Sequence, residues 1–258
     1  MRHRSYLLVL FLCFLPSNAR PSDSIAASPE IIHTFWYSHS EQLYRRVDIY
    51  IPEPSSDRPY PVLYLIHGIN GYEGSWQERG QAVDTLCKKI AEGRCEPMIL
   101  VMPDCNKWPY RPHPGNKNLW HSLLHYGQIS HEHKIDRALC DLMDMVDSTY
   151  CVSDECVFAG LSDGARLAAN VANLQPDRVT AVGLFSPVLH KDQLPLPTLS
   201  ACRYTVYVGN NDIFQPNGKR FDKRLQRRNY PQHRLVVFPG SHNWKIWRRC
   251  LSDLLENL

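Results

Sequence analysis

Short, continuously apolar runs alternate along this chain with longer stretches whose apolar residues return every three or four positions, the pattern of strands alternating with helices. Residues 62–66 (VLYLI) and 98–102 (MILVM) are apolar throughout, as strands buried on both faces are. Helical spacing over 75–91 lies between them, so the three segments predict a β-α-β unit and a parallel sheet. Ahead of it, residues 31–38 and 44–51 read as two strands, the second alternating Val47, Ile49 and Ile51 with polar neighbours. The prolines between 52 and 61 end that pattern and leave the pair as an expected antiparallel edge. Further on, the stretch 129–149 sets Ile135, Leu139, Leu142, Met143 and Val146 on one helical face. Strands are expected at 156–159, 180–185, 204–208 and 234–238, and helices at 165–172, 218–228 and 243–255. About eight mostly parallel strands with helices on both faces define an α/β fold.

The chain length suits one large domain over 31–258, behind two segments that do not belong to it. Residues 1–19 have the form of a secretory signal: Arg2 and Arg4, an apolar core over 6–15, then Ser17-Asn18-Ala19 as a small-x-small cleavage site. Residues 20–30 are small, polar and proline-containing, an expected flexible lead-in. The apolar core is shorter than the ~20 residues that cross a bilayer, so the expectation is cleavage after Ala19 and a secreted or periplasmic protein without an integral membrane segment. Losing Arg2 and Arg4 takes two from a formal charge of +3, which leaves too little cationic excess for a nucleic-acid partner. Cys87, Cys95, Cys105, Cys140, Cys151, Cys156, Cys202 and Cys250 remain, an even set expected to form disulfides in an oxidising compartment. Cys87 with Cys95 and Cys151 with Cys156 are close enough in sequence to pair, but the connectivity is open. Buried free thiols are the competing reading, and zinc ligation lacks a C-x-x-C pair.

The chemistry concentrates at Gly160-Leu161-Ser162-Asp163-Gly164, a G-x-S-x-G sequence set between an apolar run and a helix-forming stretch. A serine hydroxyl is a weak nucleophile, and a tight strand-to-helix turn flanked by glycines holds it exposed beside a base. Asp212 follows the strand expected at 204–208 and His242 follows the one at 234–238, so nucleophile, acid and histidine occur in α/β-hydrolase order. Ser162 is then the nucleophile, His242 its general base, and Asp212 the carboxylate that orients the imidazole. Asp212 also reads as a plain turn residue in Gly209-Asn210-Asn211-Asp212, and Asp177 and Asp192 are weaker rivals. An ester carbonyl becomes an oxyanion during attack, and two backbone N–H groups, those of Asp163 and Ile69, are the expected donors. The Asp163 carboxylate is unusual there, because facing inward it opposes the negative charge that develops.

His67-Gly68-Ile69-Asn70-Gly71 with Trp76, Val101-Met102-Pro103-Asp104, the pentapeptide around Ser162, Phe185-Ser186-Pro187 and Gly240-Ser241-His242-Asn243-Trp244 together resemble the esterase D, or putative esterase, family. The resemblance runs from about residue 44 to 255. It implies the α/β-hydrolase fold and an activity among feruloyl and acetyl-xylan esterases, S-formylglutathione hydrolase and the antigen 85 mycolyltransferases. Asp163 departs from the family, whose members commonly carry an apolar residue after the serine, and Ala165 stands where a further glycine is usual.

The expected function is an exported serine carboxylic ester hydrolase, working through an acyl-serine intermediate on feruloyl- or acetyl-type esters of carbohydrates, with no cofactor and no metal. An acyltransferase with the same triad, or a non-catalytic binding protein of this fold, are the alternatives. The irregular stretch 104–133, with Trp108, Tyr110, Arg111, Trp120, Tyr126 and several histidines, reads either as a sugar- or acyl-binding loop over the site or as a solvated loop. His131-Glu132-His133 has spacing that points its rings apart on a helix, a poor zinc pair.

Overall fold

The computed structural model describes residues 30–52, 58–106, 135–189 and 201–258. Strand β1 (Ile31–Ser38) folds back on β2 (Leu43–Tyr50) in an antiparallel ribbon whose register runs from Ile31↔Tyr50 to Ser38↔Leu43. Beyond it come β3 (Tyr60–Ile66), β4 (Ile99–Pro103), β5 (Val152–Leu161), β6 (Ala181–Phe185), β7 (Arg203–Gly209) and β8 (His233–Phe238). All eight lie in one sheet in the order β1-β2-β4-β3-β5-β6-β7-β8, in which every pair from β4 to β8 is parallel. Only β2 runs against the other strands, antiparallel to both of its neighbours, so β1 again points the same way as β3 to β8 and the expected antiparallel ribbon forms.

Strand periodicity decides the two cores. Val62, Tyr64 and Ile66 point to one face, where they meet α3 (Ile135–Thr149), α4 (Asp163–Leu174) and α5 (Gln215–Arg227). Leu63 and Leu65 point to the other, against α1 (Ser75–Glu78), α2 (Ala82–Ala91) and α6 (Trp244–Leu255). Each fully buried aliphatic side chain contributes about 1.5–3 kcal/mol relative to exposure, so the sheet is fixed from both sides. Tyr64 and Phe158 stack at 4.4 Å between adjacent strands β3 and β5.

The single helix expected over 75–91 is two. A Cβ on Gly80 would lie 2.4 Å from the Trp76 carbonyl oxygen, and Gln81 takes a left-handed conformation with φ 52°, so the chain turns between α1 and α2. Helix α5 begins three residues before the expected Gly218, with a proline in its first turn. Gly218 stays inside it because a Cβ there would meet Val208 Cγ1 at 2.5 Å.

The expected disulfides are absent: all eight cysteines from Cys87 onward are free thiols. Cys151 and Cys156 flank the irregular start of β5, where Val152 pairs with Tyr60 and Cys156 with Val62, and neither is bonded to the other. Cys87 sits against the Tyr50 hydroxyl at 3.3 Å, while Cys95 donates to the Glu96 carbonyl. Cys202 and Cys250 lie in the two separate cores. Burial pushes the thiols of Cys156 and Cys202 up to about 12, so they behave as small neutral core residues. No helix among the described residues is long and apolar enough to cross a membrane. The stretch 107–134, including the aromatic and histidine-rich loop and His131-Glu132-His133, lies outside the described residues, as do the leader and lead-in up to residue 29.

Candidate active site

Ser162 stands alone between the last residue of β5 and the first of α4, with φ 55° and ψ −113°. That conformation costs a non-glycine residue about 1–3 kcal/mol, and the surroundings enforce it. A Cβ on Gly160 would fall 2.3 Å from the Gly164 backbone, and one on Gly164 would fall 2.4 Å from the His67 carbonyl oxygen. The elbow is therefore pressed against the end of β3. Ser162 N–H donates to the Phe185 carbonyl at 2.8 Å, and Val188 N–H donates to the Ser162 carbonyl at 3.3 Å, which ties the elbow to the chain leaving β6.

That chain carries Ser186, at φ 47°, whose hydroxyl bonds the Asp212 carboxylate and accepts from Trp247 Nε1 at 3.0 Å. Asp212 closes the turn after β7 and takes the Phe214 N–H at 2.8 Å, so it is a turn residue and more than one. Both carboxylate oxygens lie 3.2 Å from His242 Nδ1. Burial pushes the Asp212 carboxyl up, but hydrogen bonds from His242, Ser186 and Phe214 outweigh it and hold the group below the ordinary carboxylate range. An ionised Asp212 accepting from Nδ1–H leaves Nε2 with the free lone pair, the state a general base requires.

The two loops are stitched together. Gly240 N–H donates to Asn210 Oδ1 at 2.9 Å, and Asn211 N–H donates to the Gly240 carbonyl at 2.9 Å. Asn243 caps α6 by accepting from Lys245 and Ile246 N–H, which fixes where the helix starts and so where His242 stands. Phe214 and Trp247 each meet the imidazole edge-on at 4.9 Å, and Trp244 and Trp76 extend this aromatic wall behind them. Asp212 has no exposed side-chain surface, whereas His242 keeps 22% of its own.

Gly68, Ile69 and Asn70 form the turn after β3, closed by a hydrogen bond from Gly71 N–H to the Gly68 carbonyl at 3.0 Å. A Cβ on Gly68 would lie 3.3 Å from Ser162 Cβ, so this turn runs directly beside the serine. Asp163 is the first residue of α4, and its N–H is one of those a helix leaves without an internal partner. The Asp163 carboxylate is bound by Arg166, from Nε at 2.7 Å and from Nη2 at 3.3 Å.

A buried polar brace holds the glycine turn in place. His67 Nε2 accepts from Cys105 N–H at 2.9 Å, which puts the ring proton on Nδ1, where it is donated to the Gly68 carbonyl at 2.7 Å. Asn106 donates to the Gly71 carbonyl and, at 2.8 Å, to Asp104 Oδ1. The buried Arg45 guanidinium pairs with Glu41 and donates to the Asn106 carbonyl at 2.8 Å, so β2 anchors the loop that anchors the turn. Burial drives the Cys105 thiol far above its ordinary range, leaving it neutral.

The sequence signals place Ser162, Asp212 and His242 beyond the carboxyl ends of β5, β7 and β8, at one end of the sheet. Trp247, Asn106 and Arg166 carry no such signal, since each acts through a partner distant in sequence or, for Arg166, one turn along a helix; Ser186 does follow β6 directly, but its bond to Asp212 does not show in that position. Only the Phe185-Ser186-Pro187 motif marks Ser186 in advance. Among the described residues no group of histidine, cysteine and carboxylate side chains is arranged to hold a metal.

Comparison with known proteins agrees with this architecture. The family model described as putative esterase matches residues 38–235. An endo-1,4-beta-xylanase/feruloyl esterase from Xylanibacter ruminicola is 26% identical over 257 residues, which is 93% of this chain and 33% of that protein. The chain thus spans about a third of the length of that curated relative. Among solved structures, a ferulic acid esterase from Anaeromyces mucronatus in complex with ferulic acid is similar at TM-score 0.71 and 21% identity, over 94% of this chain and 95% of that one. The feruloyl esterase module from Clostridium thermocellum complexed with sinapinate is similar at TM-score 0.65 and 16% identity, over 88% and 87% of the two chains. With an eight-stranded sheet of this order and a family match over most of its length, the chain belongs to the putative esterase family and has the α/β-hydrolase fold.

Proposed function

We propose that this protein is an exported carboxylic ester hydrolase that acts through an acyl-Ser162 intermediate on feruloyl- or acetyl-type esters of carbohydrates. His242 Nε2 removes the Ser162 hydroxyl proton as the oxygen attacks the ester carbonyl, and Asp212 stabilises the imidazolium that results. The N–H groups of Ile69 and Asp163 receive the oxyanion. His242 then gives its proton to the departing alcohol, and a water activated by the same imidazole releases the acid. The signal over residues 1–19 directs export, with cleavage after Ala19. The chemistry needs no cofactor.

The observation that carries this reading is an unbroken run of hydrogen bonds. It ties the Ser162 backbone to residues 185–188, Ser186 to Asp212, and Asp212 to His242, so three residues from distant parts of the sequence share one rigid frame. The names of its relatives favour a feruloyl ester over other acyl groups.

The test is hydrolysis of methyl ferulate, acetylated xylan and short acyl esters by wild type and Ser162→Ala, with product analysis in the presence of a sugar alcohol. Release of free acid by wild type alone supports hydrolysis. Acyl transfer to the added alcohol in preference to water assigns the transferase alternative, and equal rates for the two proteins remove Ser162 from the mechanism.

A further inference from the structure

The β1–β2 ribbon leaves part of one face open at the edge of the sheet, around Phe35, Tyr37 and Tyr44, while Asp48 and Tyr50 on the same face are buried. Trp36, Arg45, Val47 and Ile49 on its inner face are buried, Trp36 donating to the Ala138 carbonyl on α3 at 3.1 Å. Register places Tyr37 opposite Tyr44, Phe35 opposite Arg46, and His33 opposite Asp48, so these six share the outer face. Phe35 is 56% exposed, Tyr44 55% and Tyr37 38%, more than an isolated surface ring requires. The rings are ordered among themselves: Tyr37 meets Tyr44 at 5.0 Å and His39 at 5.0 Å, both edge-on.

This face is continuous with the active-site rim. Asp104 N–H, just past the end of β4, donates to the Arg46 carbonyl at 2.8 Å, so the part of β2 before residue 46 projects beyond the carboxyl end of the parallel strands. Arg46 in turn reaches Glu73 at 3.3 Å and Asp104 at 3.5 Å, and residue 73 belongs to the same loop as Ile69. Between β2 and β5 lie three strand spacings, roughly 15 Å, which is the span of a few linked sugars.

The geometry points to Phe35, Tyr37 and Tyr44 as a platform that binds a neutral polysaccharide chain whose ester group is held at Ser162. This rests on the proposed esterase reading and adds a binding site to it. Flat pyranose C–H faces stack on aromatic rings, and the tyrosine hydroxyls and His39 meet sugar hydroxyls at the ring edges. The charged groups here are Arg46 against the two carboxylates of Glu73 and Asp104, and Asp48 beside His33 at 2.6 Å, so this face has no cationic excess to draw a polyanion and suits an uncharged chain.

The test compares wild type with Phe35→Ala/Tyr44→Ala and with Tyr44→Trp. Kinetics are measured on methyl ferulate and on feruloylated arabinoxylan, and retardation in gels containing soluble arabinoxylan is measured in a Ser162→Ala background. The double variant is expected to keep its rate on methyl ferulate, raise KM on the polymer about three- to tenfold, the scale of lost ring contacts, and lose retardation. Tyr44→Trp, with its larger face, is expected to be retarded at least as strongly as the parent. Unchanged retardation and unchanged polymer KM in the double variant overturn the platform, as does loss of retardation in the tryptophan variant. A wild type inert on every ester yet retarded by arabinoxylan refutes the esterase reading and leaves the platform standing, so the two failures are distinct.

Discussion

Replacing Arg166 by methionine removes the counter-charge from a carboxylate that sits on the same residue as a proposed oxyanion donor. Asp163 is held at 2.7 and 3.3 Å by the guanidinium, and its side chain is 17% exposed against 13% for Arg166, so the pair is only partly screened by solvent. An oxyanion on the Asp163 N–H stands about 6 Å from that carboxylate, a repulsion of about 3 kcal/mol at an effective dielectric near 20. Discounting for solvent leaves about 1–2 kcal/mol, or a five- to thirtyfold fall in rate. Because the negative charge develops only during attack, the loss is expected in kcat, with KM nearly unchanged. The assay is steady-state hydrolysis of methyl ferulate by Arg166→Met, Asp163→Asn and the double variant. Asp163→Asn in the Arg166→Met background is expected to restore most of the lost rate, which separates this electrostatic effect from anything else Arg166 supports. If the double variant is as slow as Arg166→Met, the carboxylate does not oppose the transition state and the reasoning fails.

Three further outcomes follow from the same geometry. Gly164→Ala drives a methyl group into the His67 and Ile66 carbonyl oxygens, at 2.4 and 2.5 Å, and is expected to cost about 2–4 kcal/mol in denaturant unfolding and most of the activity. Ser186→Ala removes one donor from the buried Asp212 carboxylate and is expected to lower kcat about tenfold, read against a thermal unfolding curve that shows the fold intact. Asp212 is held below the ordinary carboxylate range, so its contribution to stability is complete above that range and is lost as pH falls through the folded value. Asp212→Asn should therefore flatten the part of a stability profile that lies below the ordinary carboxylate range, while an unaltered limb contradicts the assignment.

Much of the fold is legible in the sequence because its signals are local. The apolar runs at 62–66 and 98–102 become β3 and β4, and the alternating run at 44–51 becomes the antiparallel β2. The break at Gly80 and Gln81 is not legible, because helical periodicity continues through it and Gln81, which takes the left-handed conformation, is not a residue type that marks one. Cysteine counting fails for a related reason: an even number says nothing about whether two thiols face each other across a strand or a core. At the site, strand ends locate Ser162, Asp212 and His242. The brace through Ser186 and Trp247 depends on β6, β7 and α6 meeting in space, with the two residues 61 positions apart. Asp163 reads in isolation as a liability, and only the structure places Arg166 one helical turn away to bind it.

The most direct measurement is peptide mapping by mass spectrometry after fluorophosphonate treatment of the folded protein, with Ser162→Ala and His242→Ala alongside. A single adduct on the peptide containing Ser162, absent in Ser162→Ala and greatly slowed in His242→Ala, is the predicted result. An unlabelled wild type that is demonstrably folded, or an adduct that persists when Ser162 is gone, contradicts the account.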